Sequence, residues 1–143
     1  MGLYEQDFYG WVQQQAALLK AGKLDELDTE HLLEEIEGMG KSEEREIESR
    51  LIVLLAHLLK WQWQPDLRGK SWEAKIRVQR HDIGKVLAKN PSLKSKVPDL
   101  FVEAYGSARI EAGYQTGYTE VAFPEGCPYT LEQALDPEFW PET

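Results

Sequence analysis

The feature that most constrains this chain is an apolar run in its middle, from Leu51 to Trp61. Only His57 and Lys60 interrupt a series of leucine, isoleucine, valine, alanine and tryptophan. At ~3.6 residues per turn, such a run is apolar around most of a helix surface. A helix of this kind is stable only when other elements cover it on several sides. The sequence therefore predicts a central helix that begins with Ser42 as its N-cap and extends to about Gln64.

Helical spacing of apolar residues continues along most of the chain, and no strand pattern competes with it. Further helices are predicted over residues 4–20, Thr29–Met39 and 72–89, from Pro98 to the Gly113–Gly117 region, and after Thr130. Gly38 and Gly40 are expected to separate the second helix from the central one. We predict an all-α helical bundle of about five helices around the central hydrophobic helix. An irregular C-terminal strap follows, and a single domain covers residues 3–141.

The first two predicted helices each carry an apolar stripe, which is expected to face the core. The stripe residues are Phe8, Trp11, Val12, Leu18 and Leu19 on the first helix, with Gln15 among them, and Leu32, Leu33, Ile36 and Met39 on the second.

Charge is unevenly distributed around a formal net charge of −9. Residues 1–50 carry a net −8, residues 68–96 a net +7, and residues 97–143 a net −8. An acidic protein is repelled at long range by nucleic acid and by anionic lipid. The basic middle lies largely on one face of the predicted helix 72–89. It either attracts a phosphate locally or neutralises the acidic segments of the chain itself.

The compartment expected from the sequence is the cytoplasm. No window reaches the ~18 consecutive apolar residues of a membrane span, so no membrane partner is expected. Cys127 is the single cysteine, which excludes an intramolecular disulfide. The first residues lack the basic and apolar regions of a secretory signal.

Three residues of the predicted second helix, His31, Glu34 and Glu35, are the candidate metal ligands. His31 and Glu35 are four residues apart, so one ion could contact both. A divalent site needs about three or four ligands, and no second helix offers a Glu-x-x-His pair. We therefore expect neither a metal nor another cofactor, and interpret the three residues as a solvated acidic face.

His57 and Arg80 are the candidate catalytic residues. His57 has apolar neighbours and nearby cations, which disfavour its charged form and suit a neutral base. The alternative is a structural histidine that is hydrogen-bonded between helices. Arg80 borders the apolar face of its helix, where a guanidinium needs an acceptor.

A candidate binding surface surrounds the loop that follows the central helix. Aromatic side chains interleaved with cations can stack bases and hold phosphates, and Trp61, Trp63, Arg68 and Lys70 have this character. The alternative is a place in the core, because Trp61 falls on an apolar stripe and leaves Trp63 as the free indole. The net charge weighs against nucleic acid as a partner without excluding it.

Several segments in one order and spacing resemble the bacterial family called domain of unknown function 29. They are Tyr4-Glu5-x-Asp7-Phe8-x-x-Trp11, Leu33-Glu34-Glu35-Ile36-Glu37-x-Met39-Gly40-Lys41, His57-Leu58-Leu59-Lys60-Trp61-Gln62, Ser71-Trp72, Pro91-Ser92-Leu93 and Phe123-Pro124-Glu125-x-Cys127-Pro128-Tyr129. The resemblance implies a small, mostly helical, cytoplasmic bacterial protein and supplies no known reaction. One position departs from the family pattern, because Gln115 replaces the acidic residue expected before Thr116-Gly117.

The function predicted from these observations is a non-enzymatic protein-interaction or regulatory module, with a protein partner or self-association. The alternative is a metal-dependent enzyme or nucleic-acid-processing protein that uses the His/Glu cluster. Convergence of His57, Glu35, Arg80 and Trp61 on an open pocket would favour the enzyme. An exposed apolar patch would favour the interaction module.

Overall fold

The computed structural model describes residues 2–117 and 122–142, and the regular elements of these residues are all helical. The α-helices are α1 (Leu3–Gln6), α2 (Phe8–Lys20), α3 (Thr29–Trp63), α4 (Lys70–Lys89), α5 (Val97–Thr116) and α6 (Leu131–Leu135). Short 3₁₀ turns occupy Leu24–Glu26, Pro65–Leu67 and Pro91–Lys96. The prediction of an all-α helical bundle is confirmed. None of these helices combines the length and apolar character needed to cross a membrane.

The chain divides into two compact units, Met1–Lys41 and Ser42–Thr143. We call them the N-terminal unit and the C-terminal unit. The first part of α3 belongs to the N-terminal unit and the remainder belongs to the C-terminal unit. The single domain expected over residues 3–141 stays a prediction.

The core of the C-terminal unit forms around the second part of α3, where every residue from Leu54 to Lys60 is buried. The core residues contributed by the other elements are Ile76 and Ile83 of α4, Val97, Phe101, Ala104, Tyr105, Ala108 and Ala112 of α5, and Phe123, Tyr129 and Ala134 beyond α5. The central hydrophobic helix predicted from the sequence is therefore confirmed.

Residues 122–142, which we call the C-terminal strap, are tied to the helices by hydrogen bonds. The hydroxyl of Tyr129 lies 3.1 Å from the carbonyl oxygen of Leu58. The hydroxyl of Tyr105 donates to the carbonyl of Pro124. Within the strap, Thr130 and Gln133 form the capping box that begins α6, as their spacing predicts. The strap is thus part of the folded unit.

The two predicted helices on either side of Gly38 and Gly40 are one continuous helix, so the predicted boundary and the Ser42 cap are wrong. Neither glycine adopts a positive φ, which among the described glycines is confined to Gly22 and Gly117. A glycine inside a helix costs about 1 kcal/mol relative to alanine. Strong helix formers flank these two positions, and their summed propensity carries the helix through both glycines.

Two other helix starts differ from the sequence prediction. The helix expected over residues 4–20 is interrupted at Asp7, whose carboxylate accepts a hydrogen bond from the backbone N–H of Gly10 at 3.0 Å. This capping contact begins α2 and leaves α1 as a single turn. Helix α4 begins at Lys70 after Gly69, and not at residue 72 as the sequence predicts, so Ser71 lies inside the helix.

Replacing either Gly38 or Gly40 with alanine is expected to stabilise the protein by about 0.5–1 kcal/mol. Apart from the neighbouring residues and the adjacent backbone of the helix itself, an added Cβ would meet no atom within 4 Å at either position. Urea unfolding followed by circular dichroism measures the change. Gly22→Ala is the matched control and is expected to destabilise, because Gly22 has a φ of 72°. Loss of stability in G38A and G40A would contradict a helix that is continuous through these residues.

Candidate functional site

An apolar groove runs along the N-terminal unit, with a volume of about 340 Å³. Its walls come from α2 and from the first part of α3, and its lining is apolar apart from Gln15 and Glu35. The lining residues are Phe8, Trp11, Val12, Gln15, Ala16, Leu19, Leu32, Glu35, Ile36 and Met39.

Many of the groove side chains are exposed, which corrects the prediction that both stripes face a core. Phe8 is 48% exposed, Ile36 63% and Met39 68%. Trp11 and Gln15 are the buried residues of α2. The physical reason is size, because a unit of about 40 residues buries only a small fraction of its surface and leaves parts of both stripes in contact with solvent. The apolar stripes of α2 and of the first part of α3 therefore form a solvent-exposed groove as well as a small buried core.

Asp28 forms hydrogen bonds with two residues of the groove lining, Trp11 and Gln15. The indole N–H of Trp11 donates to the Asp28 carboxylate at 3.0 Å, and the Gln15 side chain accepts the Asp28 backbone N–H at 2.8 Å. The Asp28 carboxylate also accepts the backbone N–H of His31 at 3.3 Å, which makes Asp28 the N-cap of α3. These contacts satisfy the buried polar groups and fix α2 against the start of α3.

His31 makes a charge-assisted contact with the same carboxylate. Its Nδ1 lies 2.7 Å from the Asp28 oxygen, and its ring stacks on Tyr4 with 4.0 Å between centroids. The hydrogen bond to Asp28 raises the pKa of His31. The same bond lowers the pKa of the Asp28 carboxyl, because it favours the charged form.

Glu35 has a different partner from His31. The Tyr4 hydroxyl donates to Glu35 at 2.5 Å, and this hydrogen bond is the main cause that raises the pKa of Tyr4 to about 12. Within residues 2–117 and 122–142, no group of three His, Cys, Asp or Glu side chains could hold a metal ion. The interpretation of His31, Glu34 and Glu35 as a solvated acidic face without a metal stays an untested prediction.

His57 and Lys60 lie buried on α3 in the C-terminal unit. The Nδ1 atom of His57 lies 2.8 Å from the carbonyl oxygen of Val53, one turn earlier. Since a carbonyl only accepts, the proton resides on Nδ1 of the neutral ring. Burial is the main cause that lowers the pKa of His57, and the cations Lys60 and Lys75 add to it. This geometry fits a structural histidine, and a catalytic role for His57 stays an untested prediction.

Lys60 is a buried ammonium with a neutral partner. Its Nζ donates to the side-chain oxygen of Gln115 at 2.7 Å and lies 5.1 Å from the ring centroid of Trp72. Burial, followed by repulsion from Lys75, lowers the pKa of Lys60. Gln115, where the resemblance led us to expect an acidic residue, is therefore the residue that receives the Lys60 ammonium.

The candidate binding residues around the loop after α3 make contacts within the C-terminal unit. The Trp61 ring packs 4.7 Å from that of Trp140, and Arg68 donates to the Trp61 carbonyl at 2.6 Å. Trp63, predicted to be the free indole, packs edge-on against Phe123 at 5.6 Å. Lys70, the remaining candidate, is exposed at the start of α4. A nucleic-acid role for these residues stays an untested prediction.

Arg80 is buried and joins α4 to the C-terminal strap. Its Nε and Nη2 atoms donate to the carbonyls of Ala134 and Phe139, both at 2.8 Å. The strap carbonyls are thus the acceptors that a buried guanidinium requires. Arg80 lines a cavity in the C-terminal unit, whereas Glu35 lines the groove of the N-terminal unit. The hydrogen bond of the His57 ring stays within α3.

The sequence analysis missed the open groove, the Tyr4–His31 stack and the Lys60–Gln115 bond. The sequence signal for the groove and for the Tyr4–His31 stack is the spacing of Tyr4, Phe8 and Trp11. These aromatic residues follow one another at intervals of three or four, as on one face of a helix. No local signal links Lys60 to Gln115, which is 55 residues away.

The raised pKa of His31 predicts a pH-dependent stability. Its stabilising effect is full below its ordinary pKa of 6.5 and is lost as the pH rises through its higher folded pKa. We expect thermal stability to fall between about pH 6 and pH 8, and His31→Gln to reduce that fall. Calorimetry at both values measures it. His81→Gln is the control, because the His81 side chain is 72% exposed. An unchanged pH dependence in H31Q would contradict the assignment.

Replacing Gln115 with glutamate is expected to stabilise the protein by about 1 kcal/mol. A charged acceptor strengthens the hydrogen bond of Lys60 by about 1–2 kcal/mol, and an acid in the last helical turn costs about 0.3–1 kcal/mol. Urea unfolding measures the change. The control is Q115E combined with Lys60→Met, where the gain should disappear. An equal gain in both backgrounds would contradict the contact.

The chain belongs to the family described as Domain of unknown function DUF29, whose model matches residues 3–140. Comparison with curated proteins finds no significant match, and comparison with solved structures finds none either.

Proposed function

We propose that this member of the DUF29 family is a non-enzymatic protein-interaction module of the cytoplasm. Its groove binds an amphipathic helix of a partner protein, with apolar anchors facing the groove and basic residues beside them. The single observation that carries this proposal is the open apolar groove of the N-terminal unit. A chain with one cysteine suits a reducing compartment.

The groove has the size and chemistry of a helix-binding site. Its volume of about 340 Å³ falls at the lower end of the ~300–1,000 Å³ range of ligand pockets. On α2 the lining runs from Phe8 to Leu19, which corresponds to about 16 Å along the helix axis. A partner helix of three to four turns would cover this length with anchors at i, i+3, i+4 and i+7. Met39 supplies an adaptable thioether at the edge.

Burial of the exposed side chains supplies the driving force. Apolar surface removed from water contributes roughly 25 cal/mol per Å². Leu19 is 53% exposed and Ile36 63%, so both would lose apolar surface to water contact on binding. Exposed apolar side chains that adjoin one another mark interaction sites more often than isolated ones do.

Charge determines which helix binds. Residues 1–41 hold nine acidic and three basic side chains. Glu35 is itself part of the lining, and Glu34 and Glu37 are exposed beside it. An acidic surround attracts a cationic helix and repels an acidic one.

A second copy of this chain is a poorer occupant. Groove-to-groove pairing would oppose two surfaces with the same negative charge. Helix α4 exposes Val78 but keeps Ile76 and Ile83 fully buried in the core of its own unit, so it offers no row of apolar anchors beside its basic residues. A foreign basic amphipathic helix satisfies both the apolar and the charge requirement.

Two synthetic helical peptides of about 14 residues, roughly four turns, test the proposal. They share one leucine face and carry either lysine or glutamate on the other positions. In fluorescence anisotropy with the full chain, we expect the lysine peptide to bind at least about tenfold more tightly, with an affinity that falls as salt rises.

Groove variants locate the binding. Ile36→Gln and Met39→Gln should each weaken binding of the lysine peptide by about tenfold, as expected for loss of roughly 1–2 kcal/mol of apolar contact. Leu33→Gln is the matched control, because Leu33 is 57% exposed on the same helix and does not line the groove. Equal binding of both peptides, or equal weakening by L33Q, would contradict the proposal. Concentration-dependent dimerisation abolished by I36Q would identify a second copy as the occupant instead.

A further inference from the structure

Gln15 is a buried polar residue in the apolar wall that α2 contributes to the groove. It is only 5% exposed, and it follows Trp11 by one turn and precedes Leu19 by one turn. All three residues line the groove. A partner helix that lies along this wall must therefore pass over the Gln15 side chain.

The hydrogen bonding of Gln15 determines which end of its amide is occupied. The backbone N–H of Asp28 donates to the side-chain oxygen of Gln15 at 2.8 Å. A backbone N–H only donates, so the bonded atom is Oε1 and the remaining atom is Nε2. Nε2 carries two hydrogens, and neither has an acceptor within residues 2–117 and 122–142. Gln15 thus keeps two unused hydrogen-bond donors.

These unused donors open on the groove. In the described part of the chain, the polar side-chain atom that is fully enclosed and lacks a partner is Nη1 of Arg80. Nε2 of Gln15 is not enclosed in this way, so it keeps accessible surface, and Gln15 belongs to the groove lining. A wholly apolar helix would remove this surface from water and leave both donors unsatisfied, which is unfavourable.

We propose, on the basis of the helix-binding function of the groove, that the partner helix carries one neutral oxygen acceptor among its apolar anchors. This acceptor, for which an asparagine side chain has the right chemistry, receives a hydrogen bond from Nε2 of Gln15. A carboxylate is a poorer choice, because Glu35 in the lining and the exposed Glu34 and Glu37 repel negative charge. One polar residue in an apolar interface specifies the register of two helices, as a single asparagine does in coiled coils. Gln15 therefore determines where along the groove the partner helix lies.

A series of peptides tests the proposal with the full chain. Each leucine of the lysine peptide described above is replaced in turn by asparagine, which has nearly the same size. At one interior position we expect the affinity to stay within about threefold of the parent peptide, because the hydrogen bond offsets the lost apolar contact. At the other leucine positions we expect a loss of about tenfold.

Two variants of the chain show whether Gln15 causes this pattern. Gln15→Met keeps a side chain of similar length without donors, so asparagine at the tolerant position should now weaken binding by about tenfold as well. Gln14→Met is the matched control, because Gln14 is exposed on the same helix and does not line the groove. Its peptide profile should match that of the unmodified chain.

NMR of the unmodified chain gives a measurement that needs no variant, so it decides the question if Q15M does not fold. The side-chain amide hydrogens of Gln15 should move downfield when the tolerated asparagine peptide binds, and not when the parent peptide binds.

Three results would overturn the proposal. They are an equal loss of affinity at every leucine position, the same peptide profile in Q15M as in the unmodified chain, and Gln15 amide signals that do not distinguish the two peptides. In each case, binding of the parent peptide would still support the groove as a helix site, so the two failures are distinguishable. Absence of binding by the parent peptide would overturn both.

Discussion

The fold of the C-terminal unit depends on the enclosure of one stretch of α3. Residues from Leu54 to Lys60 are buried in succession, so every side of the helix needs a covering element. Helices α4 and α5 cover part of the surface, and the C-terminal strap covers another part. The alanines at positions 104, 108 and 112 of α5, one turn apart and fully buried, keep its contact face small. Helices with small contact residues approach one another more closely.

Such enclosure also determines what the polar residues of α3 can do. The His57 ring is held by a carbonyl of its own helix, and the Lys60 ammonium is held by an amide of α5. Each contact satisfies a buried polar group, and it also occupies the atom that would otherwise contact a ligand. Both residues are therefore engaged within the C-terminal unit, and the interaction surface that we propose lies elsewhere, in the groove of the N-terminal unit.

The sequence predicts the class of fold well because helical periodicity and burial of the central run are local properties. It fails at Gly38 and Gly40, where the propensity of the neighbouring residues outweighs two glycines. It also fails at the groove, because an apolar stripe has the same spacing whether it is covered or open. The contacts of Lys60 and Arg80 span more than fifty residues, so no pattern within one helix reveals them.

The C-terminal strap has a consequence for how the chain becomes folded during synthesis. Tyr129 reaches Leu58 across 71 residues, and Arg80 reaches Phe139 across 59. Contacts of such separation slow the folding of a helical protein, whose pairings are usually local. A nascent chain that has completed α5 still lacks the residues that seal its core. Until the C-terminal strap has been synthesised, that apolar surface remains open to chaperones and to other unfinished chains.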